Sequence, residues 1–128
     1  MSALISSKEH DKRWMKFALA LSKKSQGLSS ENPNVGCVVV DSDGNLCGSG
    51  FTQPGGRPHA EIEALKDAGE KAKAGTLYVT LEPCSHYGQT PPCVKAIIHA
   101  GIKRVLIAIM DPDKRVNGAG IKQLKQAG

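Results

Sequence analysis

The stretch TLYVTLEPCSHYGQTPPCVKAIIHAGIKRVLIAIM, residues 76–110, contains a strand, a loop, a helix and a second strand in that order. Residues 76–81 and 103–110 are rich in Val, Ile, Leu and Thr between polar or glycine-containing segments, which is typical of strands. Residues 94–100 continue as a helix, and Gly101 ends it. This stretch therefore predicts a crossover unit of an α/β fold.

A β-hairpin and a helix precede this unit. Residues 35–41 (VGCVVVD) form a short, β-branched apolar run that predicts a buried strand. The turn sequence SDGN at 42–45 leads into residues 46–51, which we expect to pair with it in antiparallel fashion. Residues 59–73 predict a helix that Gly75 ends, just before the strand at 76.

Two further helices are predicted near the ends of the chain. Residues 8–24 carry apolar side chains at helical spacing, at Trp14, Phe17, Ala18 and Leu21. Residues 121–127 predict a last short helix after a loop at 111–120. The order α-β-β-α-β-α-β-α predicts a three-layer α/β/α fold, in which a mixed sheet has helices on both faces.

Composition restricts the class of protein. The 128 residues are the length of one domain, here 1–128, and the formal net charge is +5. No apolar run reaches the roughly 18 residues of a membrane span, and the N-terminus lacks a secretory pattern, so we expect a cytoplasmic protein that acts without a membrane. In the cytoplasm, cysteines more often bind metal or pack in the core than form disulfides, and we expect Cys37 and Cys47 to be core thiols. The basic charge suits a solvated helix face, and without aromatic stacking residues it predicts no nucleic-acid partner.

Three short motifs carry the chemistry. His59-Ala60-Glu61 begins a predicted helix, Cys84 follows a predicted strand, and Cys93 begins the next helix. One imidazole and two thiolates are three zinc ligands, and they leave a fourth tetrahedral position for water, as a catalytic zinc requires. The partial positive charge of a helix N-terminus favours the thiolate form. The motifs therefore predict a zinc ion held by His59, Cys84 and Cys93.

Glu61 is the candidate catalytic residue. At two positions after His59 it is placed beside the metal rather than on it, where a carboxylate takes a proton from water and passes it to a leaving amine. This pattern matches the zinc-deaminase signature, in which the glutamate is not a metal ligand. The alternative is a structural zinc site, for which His86 is the obvious fourth ligand.

Taken together, these motifs resemble those of the cytidine-deaminase-like superfamily. Eight residues separate the cysteines in CSHYGQTPPC, residues 84–93, where most members of the superfamily have two. That spacing, with NPNVGC at 32–37, PHAE at 58–61 and DPD at 111–113, resembles one branch, the riboflavin-biosynthesis pyrimidine deaminases. In that branch the deaminase is usually the N-terminal half of a bifunctional deaminase–reductase. The resemblance implies a cytidine-deaminase-like fold.

The resemblance also implies a reaction. It is the hydrolysis of 2,5-diamino-6-(5-phosphoribosylamino)pyrimidin-4(3H)-one to 5-amino-6-(5-phosphoribosylamino)uracil and ammonia, by attack of zinc hydroxide with Glu61 as proton shuttle. The implied partners are this small molecule, further copies of the chain, and a fused or separate reductase, which the 128 residues do not contain. The implied substrate-binding residues are Asn32, Ser85, His86, Thr90, Asp111 and Asp113.

Several positions depart from the pattern of that branch. Gln89 stands where a Lys or Arg is usual, Thr52 where many members have His, and Lys114 where many have Pro. The sequence therefore does not identify the cation that binds the substrate phosphate, and Arg57, Lys114 and Arg115 are candidates by charge alone.

Two other functions stay open at the level of sequence. A nucleoside, nucleobase or tRNA-adenosine deaminase of the same superfamily would share the mechanism and differ in its pocket, although the spacing of the cysteines argues against it. A non-catalytic zinc-binding module would keep the metal without needing Glu61.

Overall fold

A computed structural model describes residues 7–25, 34–83 and 93–109. The α-helices of these ranges are α1 (Ser7–Ser22), α2 (Ala60–Ala68) and α3 (Cys93–His99). Their strands are β1 (Gly36–Val40), β2 (Leu46–Phe51), β3 (Thr76–Leu81) and β4 (Arg104–Ile109), and short 3-10 helices occupy Lys23–Ser25, Pro54–Gly56 and Gly69–Ala72. Within the same ranges, no helix has the length and apolar character of a membrane span. The predicted loop at 111–120 and helix at 121–127 lie outside them.

The four strands form one mixed sheet in the order β2-β1-β3-β4. Strand β1 is antiparallel to both β2 and β3, whereas β3 and β4 are parallel, as expected when a helix connects two strands. The β1–β2 turn is tied by Asp41, whose Oδ1 accepts hydrogen bonds of 2.9 Å from the backbone N–H groups of Asp43 and Asn45. The predicted hairpin and mixed sheet are confirmed.

Helices cover both faces of the sheet, which confirms the predicted three layers. Because side chains alternate along a strand, β1 divides its residues between two cores. Val38 and Val40 pack with Ala18 and Leu21 of α1. On the other face Cys37 and Val39 belong to the core that α2 and α3 cover, with buried residues Ala60, Ala64, Ala68, Leu77, Val79 and Ile97.

Helix α2 is shorter than its sequence pattern predicts. The α-helix ends at Ala68, and the chain continues as a 3-10 helix over Gly69–Ala72 instead of an α-helix to Lys73. Gly69 has φ 58°, a left-handed conformation that glycine adopts without the strain a Cβ would cause. Gly69, and not Gly75, is therefore the residue at which the α-helix ends.

Two glycines of β2 allow α2 to lie directly on the strand. A Cβ on Gly50 would stand 2.7 Å from the carbonyl oxygen of Ala60 and 2.7 Å from the Cβ of Glu63. Gly48 makes the same kind of approach to the carbonyl oxygen of Ala64. The position of the first turn of α2 is therefore fixed by the absence of side chains on β2.

Candidate active site

Two predicted metal ligands meet at the end of the sheet where β3 ends and β1 begins. His59 immediately precedes α2, with extended backbone angles of φ −70° and ψ 160°, and Cys93 is the first residue of α3. Although they are 34 positions apart, His59 Nδ1 lies 3.3 Å from Cys93 Sγ. The Cys93 side chain is only 1% exposed.

This distance fits two ligands of one zinc ion. Zinc lies about 2.3 Å from a thiolate sulfur and about 2.0 Å from an imidazole nitrogen, so two ligands at a tetrahedral angle are about 3.5 Å apart. Among the described residues, no group of three or more His, Cys, Asp or Glu side chains could hold a metal ion. The predicted third ligand, Cys84, lies outside those ranges.

Arg57 contacts the opposite side of the same imidazole. Its Nη1 lies 2.9 Å from His59 Nε2. A guanidinium only donates hydrogen bonds, so Nε2 accepts in this arrangement. The ring proton of a neutral His59 is then on Nδ1, which points at the sulfur of Cys93.

Glu61 lies in the first turn of α2, close behind His59, and is 4% exposed. A negative charge in the first turn is stabilised by the helix dipole. Cys37 of β1 is near this carboxylate, since burial raises the pKa of the Cys37 thiol well above its ordinary value and the charge of Glu61 raises it further. Glu61 and Cys37 thus share a closed region under the first turn of α2.

Two buried threonines, which the sequence analysis did not assign to the site, hold the segment that enters β1. Thr52 Oγ1 accepts a hydrogen bond of 3.0 Å from the N–H of Val35, and Thr80 Oγ1 accepts one of 3.1 Å from the N–H of Gly36. In the sequence, both threonines place a hydroxyl group at or near the end of an apolar strand, Thr52 after β2 and Thr80 in β3. Thr52, which the sequence analysis named as a departure from the branch pattern, supports the backbone next to Asn34 through its side chain.

The remaining predicted site residues lie outside the described ranges, so their roles stay predictions. They are Asn32, Cys84, Ser85, His86, Thr90, Asp111 and Asp113.

Comparison with known proteins identifies the family of this site. Residues 8–109 match the family model described as the cytidine and deoxycytidylate deaminase zinc-binding region. The chain belongs to this deaminase family. The range that matches includes His59, Glu61 and both cysteines of the CSHYGQTPPC segment.

Individual members of the deaminase family share about half of the sequence. The chain is 54% identical over 121 residues to riboflavin biosynthesis protein RibD of Aquifex aeolicus, covering 94% of the chain and 34% of that protein. It is 49% identical over 118 residues to the diaminohydroxyphosphoribosylamino-pyrimidine deaminase of Buchnera aphidicola subsp. Schizaphis graminum, covering 92% of the chain and 80% of that protein. The predicted resemblance to the riboflavin branch is confirmed.

Solved structures of the deaminase family have the same fold. A structure of Acinetobacter baumannii RibD superposes with a TM-score of 0.92 at 49% identity, over 96% of this chain and 34% of that one. The predicted cytidine-deaminase-like fold is confirmed. The chain spans about a third of the length of the RibD relatives that it matches.

Proposed function

We propose that the chain catalyses the deamination step of riboflavin biosynthesis. Its substrate would be 2,5-diamino-6-(5-phosphoribosylamino)pyrimidin-4(3H)-one, whose 2-amino group leaves as ammonia while a carbonyl remains. The proposal is supported by the named deaminase of which the chain covers 80% and by the eight-residue spacing between the cysteines, which is the most specific sequence feature.

The metal ligands in this proposal are His59, Cys84 and Cys93. The observation that carries it is the 3.3 Å approach of His59 Nδ1 to Cys93 Sγ, which brings an imidazole nitrogen and a sulfur to the spacing of two zinc ligands. Bound zinc would supply a Lewis acid that acidifies water and stabilises negative charge on oxygen.

Glu61 moves the protons in this proposal. Its carboxylate would take one proton from the attacking water and deliver it to the ring nitrogen, and would then carry the second proton of that water to the departing amine. Burial of Glu61 at the start of α2 suits this role, since a carboxylate held in a closed site keeps the proton from exchanging with bulk solvent.

A substrate panel tests the proposed reaction. Ammonia release by the zinc-loaded chain would be measured with the phosphoribosylaminopyrimidine, cytidine, guanine and tRNA. We expect turnover of the phosphoribosylaminopyrimidine alone. Turnover of one of the other three without it would assign the chain to a different member of the superfamily.

The partners and location are also proposals. A reductase, fused or separate, would consume the product. This agrees with the match to RibD of Aquifex aeolicus, in which the chain covers only 34% of that protein. Homo-oligomerisation and the cytoplasmic location stay predictions from the sequence.

A further inference from the structure

Two adjacent lysines follow the last turn of α1. Lys23 and Lys24 belong to the 3-10 helix Lys23–Ser25, and both side chains are exposed. We propose that this pair attracts the phosphate group of the substrate through solvent, and so selects phosphorylated pyrimidines without contacting the reacting ring. The proposal rests on the proposed function and names the residues that recognise the charge of its substrate.

The packing of α1 places the lysines at the end of the sheet where the candidate site lies. A Cβ on Gly36, the first residue of β1, would collide with the carbonyl group of Ala18 and stand 2.8 Å from the backbone nitrogen of Ser22. The last turn of α1 therefore lies directly on the start of β1. In contrast, Asp11 in the first half of α1 contacts Arg104, where β4 begins, at the opposite end of the sheet.

Contacts of Lys24 bring it to the segment that carries His59. Its Nζ lies 5.8 Å from the ring centroid of Phe51, the last residue of β2. Two positions after Phe51, the N–H of Gln53 donates a hydrogen bond of 3.2 Å to the carbonyl oxygen of Pro58, which directly precedes His59. The attraction between an ammonium group and an aromatic face keeps the Lys24 charge at this place while the side chain stays exposed.

The carboxylates at this end of the sheet are buried, whereas the lysines face solvent. Glu61 in the first turn of α2 is 4% exposed, and Glu82, which directly follows β3, is 3% exposed. A phosphate monoester carries a charge of about −1.5 to −2 near pH 7. Exposed charges act on such an anion over about one Debye length, roughly 10 Å at 0.1 M salt and 30 Å at 0.01 M. The lysines therefore offset the repulsion by the two carboxylates as the substrate approaches.

Three double variants separate this attraction from other roles of the lysines. Lys23→Gln/Lys24→Gln removes both charges, and Lys23→Arg/Lys24→Arg keeps them. The matched control is Lys12→Gln/Lys103→Gln, which removes two exposed charges near the opposite end of the sheet. Lys12 follows Asp11 on α1, and Lys103 directly precedes β4.

Capture of the substrate is the first measurement. The kcat/KM of the zinc-loaded chain for the phosphoribosylaminopyrimidine would be measured at about 0.01 M and about 1 M ionic strength, after circular dichroism has verified folding. At the low ionic strength, the double Gln variant should lose roughly three- to tenfold in kcat/KM with kcat unchanged, because steering acts on the approach and not on the chemical step. At the high ionic strength the loss should fall below about twofold. The double Arg variant and the control should match wild type.

Binding of the phosphorylated product is the second measurement and needs no turnover. Calorimetric titration with 5-amino-6-(5-phosphoribosylamino)uracil should show weaker binding to the double Gln variant by a similar factor, at the low ionic strength only. Wild-type kcat/KM in this variant at low ionic strength, a loss that persists at about 1 M, or an equal loss in the Lys12/Lys103 control would overturn the inference. Wild-type protein that neither binds this product nor turns over the phosphoribosylaminopyrimidine would instead refute the proposed function.

Discussion

Three neighbouring residues of this chain have different places in the candidate site. His59 offers Nδ1 toward Cys93, Glu61 is buried one turn further on, and Arg57 contacts the far side of the imidazole. In the proposed function, metal ligation and proton transfer are divided between His59 and Glu61, which are only two positions apart.

The role of Glu61 is tested by Glu61→Gln. The amide keeps the shape of the side chain but does not accept and return a proton, so we expect kcat to fall by at least about 10²–10⁴-fold. Zinc content, measured by mass spectrometry of the metal, should stay at the wild-type level, because the proposed function does not use Glu61 as a zinc ligand. Unimpaired ammonia release by this variant would support a non-catalytic zinc module instead.

At the residue scale, the sequence predicted the identities of the candidate residues better than their contacts. The pairing of His59 with Cys93 was predictable, since both belong to a recognisable set of ligand types that begin helices. The contact between Arg57 and His59 Nε2 was not, because a charged side chain in a Gly- and Pro-rich loop has no periodicity that fixes its direction. Thr52 was noted as a departure from the branch, and its hydrogen bond to Val35 became visible only with the register of β1 and β2.

At the scale of elements, α2 carries the site and β2 fixes its position. The four strands and the helices α1 and α3 were predicted because the apolar runs are short and separated by glycine, proline or turn residues. The length of α2 was mispredicted because Ala72 is buried and keeps the apolar pattern going after Gly69 has ended the α-helix. A pattern of burial continues through a 3-10 helix just as through an α-helix, so periodicity alone does not separate them.

The contact of α2 with β2 is tested by Gly50→Ala. The added methyl group would lie 2.7 Å from the carbonyl oxygen of Ala60, so the first turn of α2 must shift. We expect a loss of about 1–3 kcal/mol in the free energy of unfolding, measured in urea, together with weaker zinc binding. Ser49→Ala, on the adjacent residue and the other face of β2, is the control and should change neither quantity. Wild-type stability and zinc affinity in Gly50→Ala would contradict the packing argument.

The attachment of α1 to the sheet depends on a carboxylate. Asp11 accepts hydrogen bonds of 2.5 Å from Tyr78 Oη and 2.9 Å from Arg104 Nη2. Burial raises the pKa of Asp11, but the hydrogen bonds from Tyr78 and Arg104 outweigh burial and lower it from its ordinary value of 3.8. A carboxyl with a lowered folded pKa stabilises the fold above its unfolded pKa, and this stabilisation is lost as the pH falls through the folded pKa.

The substitution Asp11→Asn tests whether the stability of the fold depends on the charge of Asp11. The variant should lose about 1–3 kcal/mol of unfolding free energy near neutral pH, because a charge-assisted bond to Arg104 is removed. The difference from wild type should shrink as the pH falls below about 4, when the wild-type carboxylate is itself protonated. Urea unfolding across this pH range gives the measurement, and Asp43→Asn, in the exposed β1–β2 turn, is the control. A difference that stays constant with pH would show that Asp11 does not act through its charge.

At the scale of the whole molecule, the architecture places the candidate site at one end of a largely apolar sheet. Successive residues of β1 belong to two different cores, and helices cover both of them. The faces of the sheet are therefore buried, whereas loops at the strand ends can carry binding residues. The order of elements predicted this arrangement because a hairpin followed by a crossover has few possible topologies. The substrate-binding residues were named from the resemblance and stay predictions, since no periodic pattern encodes the conformations of loops.

The metal content of the purified chain tests the central claim most directly. Mass spectrometry of the metal should find one zinc ion per folded wild-type chain, and far less in Cys93→Ser, whose hydroxyl is a poor zinc ligand at neutral pH. Folded wild-type protein that contains no transition metal, and that takes none up when zinc is supplied, would contradict the account.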